Sequence, residues 1–501
     1  ETVRIVEVAV EAEPVAIGQF LAPAGQYHSF TWDGPIPTTF QEAPMLAAQV
    51  AEGELPPVTE RLPVRSDVLV IKPVENIGKY GGTWQRLLRG PSDGQNIDRV
   101  MHDLPIEDDN DAVTPVGNII KEWDVSDDFT VFTMHLRKGM KWSDGAPFGA
   151  DDFVYAHEYQ TKDADVQPSP RHSSLTDSGT GERAVLEKID DATFRYTFTT
   201  PKPRFIEQYN GGQGGMSLWG RIGGAYYGPK HYLSQFHALL ADAGELDTMV
   251  ADAGFDTWVQ LYASKSDPLT NADIPVVAPW KMISPITSEV YASERNPYYF
   301  VVDPEGNQLP YIDRLVAYNT PNTEVLNLRA IAGDVDMMAR HMHVAKIPLF
   351  KENEERGNYK ITIFSMGGGS GGMIFNQTWD GDDELEKWIR TKDFRIAVSH
   401  AINRNTINEV VFLGIGRPHM GYQPLSPHSP GDAVGEKYQS YGEFDPVKAS
   451  QMLDAMGLTA KDGDGFRVRI DNGERLVLPL SFTQVFADSA SVAEIVVENL
   501  R

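Results

Sequence analysis

The segment TVFTMHLRKGMKWSDGAPFGADDFVY (Thr130–Tyr155) changes its period halfway along. Thr130 to Arg137 alternates, Phe132, Met134 and Leu136 on one face and Val131, Thr133 and His135 on the other, which is the two-residue period of a half-buried strand. After a Gly-containing connection, Ala150-Asp151-Asp152 opens a helix that carries Phe153, Val154 and His157. Its acids fall in the first turn, where they complement the positive end of the helix dipole. Thr193 to Thr199 repeats the alternation with Phe194, Tyr196 and Phe198. Strands mixed with helices predict an α/β chain rather than a sandwich or a bundle.

On the N-terminal side, residues 1 to about 66 are rich in Pro and Ala and weakly periodic. They are open to two readings, an extended arm wrapped on the body or a partly ordered linker. Within them Glu42 to Glu54 has helical spacing (Met45, Leu46, Val50), closed by Pro56-Pro57. Polar, Pro-rich stretches near 163–183 and 264–279 are expected to be surface loops or crossings between lobes. Further on, Glu324 to Ile331 reads as a helix leading into Gly333-Asp334-Val335-Asp336, and Lys360 to Phe364 as a strand. Arg395 to Asn403 is a helix, and Asp445-Pro446 starts another whose stripe is Ala449, Leu453 and Met456 and whose stop is Gly457. SASVAEIVVENLR (Ser489–Arg501) is amphipathic, with Val492, Ile495, Val496 and Leu500 on one face, and lacks a stop signal, so the sequence is expected to continue beyond it.

Composition narrows the function classes. The chain has 501 residues, 44 Lys and Arg against 71 Asp and Glu, and no cysteine. At about 100–200 residues per domain it makes two to four domains. A net charge of −27 repels a nucleic-acid backbone. Without cysteine there are no disulfides, thiol nucleophiles or Cys-ligated zinc. No run of about 18 apolar residues is present to span a membrane. The opening at Glu1 fits either a cut chain or an exported protein whose leader has been removed.

Several motifs suggest chemistry and fall short. Gly367, Gly369 and Gly372 satisfy G-x-G-x-x-G, but Met373-Ile374-Phe375-Asn376 follows as a strand where a dinucleotide site needs a helix. Asp462-Gly463-Asp464-Gly465 looks like a calcium loop, yet its twelfth position is Gly473, so it reads as a turn. His341 and His343 near Asp336 offer two imidazoles and no marked third ligand. No Gly-x-Ser-x-Gly elbow, His-Glu-x-x-His or P-loop occurs, and the sequence gives no catalytic residue, metal site or cofactor. Tryptophans (Trp84, Trp142, Trp219, Trp258, Trp280, Trp379, Trp388) are the better lead, as stacking faces for a sugar or walls of a peptide pocket, with core packing as the alternative for each.

LRKGMKWSDGAPFGADDFVY (Leu136–Tyr155) closely resembles the fingerprint of the bacterial family 5 extracellular solute-binding proteins, the peptide, dipeptide and nickel receptors of ABC importers. Further segments resemble that family in order: Gly117–Arg137, Gly228-Pro229-Lys230-His231, RNPYYF (Arg295–Phe300) with Leu309–Asp313, Gly333–Asp336, and FRIAVSHAINR (Phe394–Arg404), where Asn403 replaces the usual Asp. Residues 1–66 lie outside the family core. The resemblance implies an α/β, two-lobed fold of the type II (cluster C) periplasmic-binding-protein kind, with an extra insert domain and a C-terminal part missing from this sequence. It implies an arm at 1–66, lobe I at 67–104 plus 187–311, the insert at 105–186, and lobe II at 312–501. A small solute, a peptide or an oligosaccharide, would be enclosed between the lobes of a monomer and delivered to the membrane permease. Sites implied for the solute are Ser92 and Asp93 after the first strand, Trp219, Trp280 in a family turn, and Gly369, Phe375 and Asn376 along the cleft strand. The same resemblance places the protein in the periplasm or on the cell surface as a lipoprotein. Metal-chelate binding and peptide sensing are alternatives on the same fold, and an extracellular hydrolase is the alternative from another class.

Overall fold

A computed structural model describes residues 29–101, 103–110, 114–168, 173–177, 179–209, 226–363, 372–416, 418, 441–482 and 488–501. The chain divides into two compact units. The larger holds the described residues up to Leu326 together with Asp334–Arg340, and the smaller holds Asn327–Gly333 and the described residues from His341 onward. The mixture of helices and sheets is the α/β class expected from the sequence.

Strands among the described residues are β1 (Leu69–Val70), β2 (Thr83–Leu88), β3 (Ile106–Asp108), β4 (Pro115–Gly117), β5 (Ile120–Val125), β6 (Val131–Leu136), β7 (Val185–Asp190), β8 (Thr193–Thr197), β9 (Trp280–Ser284), β10 (Val290–Arg295), β11 (Val301–Val302) and β12 (Arg314–Asn319). All belong to the larger unit. One four-stranded sheet has the order β2-β12-β10-β9, parallel at β2–β12 (Arg314 beside Thr83) and antiparallel elsewhere. A second, β5-β6-β8-β7, is antiparallel throughout. Its central strands bury the alternate residues read from the sequence, Phe132, Met134 and Leu136 facing the same core as Phe194, Tyr196 and Phe198. Edge strand β7 is exposed almost throughout and carries no clean alternation. Two-stranded pairings β1–β11 and β3–β4 complete the strand set.

Residues 29–66, the described part of the stretch expected to be an arm, belong to the larger unit. Trp32, Ile36 and Phe40 lie against Val58, Leu62, Val68, Val70 and Val302. The fully buried Arg61 guanidinium pairs with Glu42 and donates to Gln308 Oε1 at 3.0 Å and to the Pro297 carbonyl. The helix expected within 42–54 spans Pro44–Glu52 and is closed by Gly53 in the left-handed region, three residues before Pro56. The loop 267–279 is not superficial: Leu269, Ile274, Val276, Val277 and Ala278 are buried inside the larger unit.

The smaller unit is helical. Helices Asp383–Arg390, Lys392–Ala401, Arg404–Phe412, Pro446–Ala455 and Asp488–Leu500 surround Trp388, Phe394, Val398, Ile402, Leu458 and Val496. Asp382 and Asp445 cap two of them, accepting from Leu385 N at 2.9 Å and Lys448 N at 2.8 Å. The strands expected at Lys360–Phe364 and Met373–Asn376 do not form over the described residues 360–363 and 373–376, which pair with no neighbouring strand. The Ile361 amide is instead taken by the Glu354 carboxylate at 2.7 Å. Phe364 lies outside the described residues.

Candidate functional site

The fingerprint segment folds as a tight loop between β6 and the helix Ala150–Tyr155. Trp142 and Ala146 close it through backbone bonding, and Phe148 N reaches Met140 O at 3.0 Å. Asp152 Oδ2 accepts from Gly149 N at 2.9 Å and from the buried Trp142 indole at 3.2 Å, so the acid that opens the helix also fixes the tryptophan. Burial pushes the Asp152 carboxyl up to about 6, against the pull of its three N–H donors. Gly145 sits at φ +88°, and a Cβ there would stand 2.8 Å from Tyr298 Oη, so only glycine fits.

The other family-like segments come to this loop from far along the chain. Lys230 N donates to Asp152 Oδ1 at 3.2 Å, and the Lys230 ammonium reaches Asp151 at 3.2 Å. His231 Nε2 bonds Asp144 Oδ2 at 2.8 Å. Ser143 N and Oγ exchange bonds with the Val276 backbone, whose carbonyl also faces Asn296 Nδ2 of the RNPYYF segment. Arg295, fully buried, donates to the Pro310 and Tyr311 carbonyls and pairs with Asp313 at 2.8 Å. These groups bond to one another and to neighbouring backbone, Arg295 Nε alone among them being buried without a hydrogen-bond partner among the described residues. The fingerprint is therefore a structural clasp of the larger unit, and its polar atoms are engaged within the protein.

A second cluster sits where β2 ends. Gly90 leads into the turn Pro91–Asp93 and the helix Gln95–Met101. Ser92 is exposed and Asp93 is buried. Asp93 Oδ2 accepts from Arg89 N at 3.1 Å, and Oδ1 pairs with Arg340 Nε at 2.6 Å. Asn96, buried, receives Arg86 Nη2 at 2.6 Å and donates to Leu87 O at 2.6 Å. Arg86 lies over the Trp84 ring at 5.1 Å. Trp280, on β9, is buried in the sheet core with Met282, Tyr291 and Leu315, packs edge-on to Trp84, and donates its indole N–H to Ile312 O at 3.0 Å. Every hydrogen-bonding atom of its ring is thus occupied.

In the smaller unit Phe375 packs partly against the helical core, while Asn376 is exposed with Oδ1 accepting from Thr378 N and Oγ1 at 3.2 and 2.9 Å. Trp219 and Gly369 lie outside the described residues. The structure thus brings Ser92, Asp93 and Trp280 into one unit and Phe375 and Asn376 into the other. Met338 and Arg340 escaped the sequence reading, and Asp336 was read there only as the end of the Gly333–Asp336 turn and as the acid near His341 and His343. The signal available was their spacing, every second residue after the Gly333–Asp336 turn.

The metal-like motifs resolve into salt bridges and turns. Asp462 and Asp464 are neutralised by Arg475 at 2.6 and 2.5 Å, and Asp462 Oδ1 accepts from Asp464 N and Phe466 N. His343 Nδ1 lies 3.8 Å from Asp488 Oδ1. Among the described residues no group of three or more His, Asp or Glu is placed to hold a metal ion. One acidic pair, Asp103 buried and Glu107 half-buried, stands apart in the larger unit. Asp103 accepts from Asn118 Nδ2 and Tyr299 Oη, both at 3.2 Å, and burial holds its carboxyl well above the usual range. Burial, with Asp108 nearby, pushes Glu107 up to about 7. No helix among the described residues is long and apolar enough to cross a membrane.

Comparison with known proteins gives the clasp a lineage. The family described as bacterial extracellular solute-binding proteins, family 5 Middle, matches residues 114–501. The periplasmic alpha-galactoside-binding protein of Rhizobium meliloti (strain 1021) is 28% identical over 449 residues, which cover 83% of this chain and 59% of the relative. The chain thus spans less than two thirds of that relative's length. A solved oligopeptide-binding protein OppA is 34% identical with a TM-score of 0.66, over 93% of this chain and 70% of that one. The periplasmic binding protein MelB of Agrobacterium fabrum C58, solved with stachyose, shares the fold at a TM-score of 0.71 and 23% identity, over 92% of this chain and 69% of that one. The match begins just ahead of β4 and takes in the clasp, the turns that dock on it and the helices of the smaller unit, so the chain belongs to the family 5 bacterial extracellular solute-binding proteins.

Proposed function

We propose that this chain is part of an extracytoplasmic receptor of an ABC importer, which binds a peptide and hands it unchanged to the membrane permease. The observation that carries the reading is the family match over residues 114–501 together with 34% identity to an oligopeptide-binding protein. A receptor of this kind binds and releases, so its affinity comes from a ligand-biased conformational equilibrium and needs no reacting group. Consistent with that, the strongly engaged acids of the fingerprint are spent on structure. Ser92, Asp93, Phe375 and Asn376 are the residues proposed to contact the solute. Peptides of varied sequence would be held through their backbone, with hydrated room for side chains. Export to the periplasm or cell surface goes with this role.

An oligosaccharide is the second reading, favoured by the 28% identity to an alpha-galactoside-binding protein across 83% of the chain. Native mass spectrometry of the freshly purified protein separates them. A co-purified mass that matches a short peptide supports the first reading, and one that matches a hexose oligomer supports the second. Calorimetry with tri-alanine and with raffinose then tests the assignment, and Asn376→Ala should weaken binding of whichever probe is taken, by about tenfold. Hydrolysis of either probe during incubation would overturn the receptor reading altogether.

A further inference from the structure

The segment Asp334–Arg340 is flanked in sequence on both sides by residues of the smaller unit, yet it belongs to the larger one. Three of its side chains, spaced two apart, account for that attachment. Asp336 sits on the edge of the sheet at β2. Its Oδ2 accepts from Gln85 N at 2.6 Å while its own N–H donates to Gln85 O at 3.1 Å, so an otherwise open edge is paired. Met338 offers its sulfur to Asn96 Nδ2 at 3.8 Å. Arg340 Nε meets Asp93 Oδ1 at 2.6 Å, in a pair whose carboxylate side chain is 4% exposed and whose guanidinium is 18% exposed. The intervening Met337 and Ala339 are exposed. The segment bends at Asp336 and Met337 and enters a turn at Arg340, so the three contacts follow from its local course rather than from a strand.

We infer that Asp334–Arg340 is a strap whose terminal Arg340 latches the Pro91–Asp93 turn, making Arg340 a positioning residue for the solute-facing turn. The inference rests on the proposed function only where it calls that turn solute-facing. Asp93 is buried and has both oxygens engaged, Oδ2 by Arg89 N and Oδ1 by Arg340. Removing the guanidinium leaves a buried carboxylate with one of its partners gone, a state that the local backbone relieves by opening. The turn would then lose its fixed course between β2 and the helix Gln95–Met101, and with it the placement of Ser92. The same geometry makes Asp93 a holder of the turn rather than a free anion for a cationic ligand end.

Hydrogen exchange read by mass spectrometry on the whole chain tests the latch, with Arg340→Gln, Asp93→Asn and the double variant beside the parent. The expectation is exchange at least tenfold faster in 85–94 and 334–340 in each single variant, the double variant no faster than the singles, and unchanged protection in β5 to β8. Parent-like exchange in both segments for Arg340→Gln overturns the latch. Should Arg340→Gln fail to fold, Arg340→Lys replaces it: it keeps the charge and loses the Nε–H that makes the contact, so faster exchange confined to the two segments supports the latch and unchanged exchange overturns it. Calorimetry with tri-alanine and raffinose runs on the same samples. If the segments loosen while probe affinity holds, the latch stands and Ser92–Asp93 leave the solute site; if affinity falls at least tenfold with the loosening, both stand.

Discussion

Single residues in this chain are governed by what surrounds them rather than by their type. Trp280 was a candidate ligand platform, but its ring is in the sheet core and its N–H is taken by Ile312 O. Trp280→Ala should therefore cost about 3–5 kcal/mol of stability, as large-to-small core changes do. A urea midpoint equal to the parent's would return the residue to the surface of a site. Glu107 gives a pH signature. Its folded value of about 7 lies above the roughly 4.3 of an unfolded glutamate. The folded state thus binds the extra proton, and the associated stability is full below about pH 4 and lost as pH climbs through 7. Glu107→Gln should reduce the loss of stability between pH 5 and pH 8 by on the order of 2 kcal/mol. Asp103 and Asp108, which face it, and the Tyr227 and Tyr299 hydroxyls remain in the variant, so an unchanged pH slope would assign the titration to Asp103.

Elements differ in how far their own sequence announces them. β6 and β8 were legible because one face is buried and the other wet, so alternation is written into Phe132-x-Met134-x-Leu136 and Phe194-x-Tyr196-x-Phe198. β7 lacks that contrast, being an exposed edge, and only its partner β8 makes it a strand. The reverse error occurred at Lys360–Phe364 and Met373–Asn376, apolar runs that have no neighbouring strand to pair with among the described residues. The fingerprint was legible as a family mark, while its work as a clasp was not, because Lys230, His231, Val276 and Tyr298 arrive from more than 70 residues away. The N-terminal arm is fixed in the same remote way. Gly306 holds φ +85°, its would-be Cβ stands 2.1 Å from Thr39 O, and Gln41 exchanges backbone bonds with Gly306 and Gln308 at 2.9 Å. Gly306→Ala should cost about 1–3 kcal/mol through backbone strain and displacement of the arm. Exchange at 37–43 is expected to rise at least tenfold with β5–β8 unaffected, and a parent-like rate there would mean that the arm is held elsewhere.

At the scale of the whole molecule, stability is divided as the contacts are. Sheets, clasp and arm lie in the larger unit, and the smaller unit rests on its own helical core around Trp388, Phe394 and Val496. Trp388 is buried, donates its indole N–H to Glu384 Oε1 at 2.8 Å, and carries the Lys387 ammonium over its ring at 4.5 Å. Trp388→Ala removes all three contributions, about 3–5 kcal/mol by analogy with other core truncations. Because the hydrophobic residues of its cluster among the described residues all belong to the smaller unit, the loss should be local. Four buried clusters in the larger unit and one in the smaller, among the described residues, make a single global stability an average over unlike parts. Hydrogen exchange by region is the appropriate measurement. Helices 383–412 and 446–455 should lose protection in Trp388→Ala, while β2, β6, β8 and β12 keep theirs within a factor of about three, less than the tenfold that 1.4 kcal/mol represents. Uniform loss of protection across the chain would overturn the assignment of the loss to the core around Trp388.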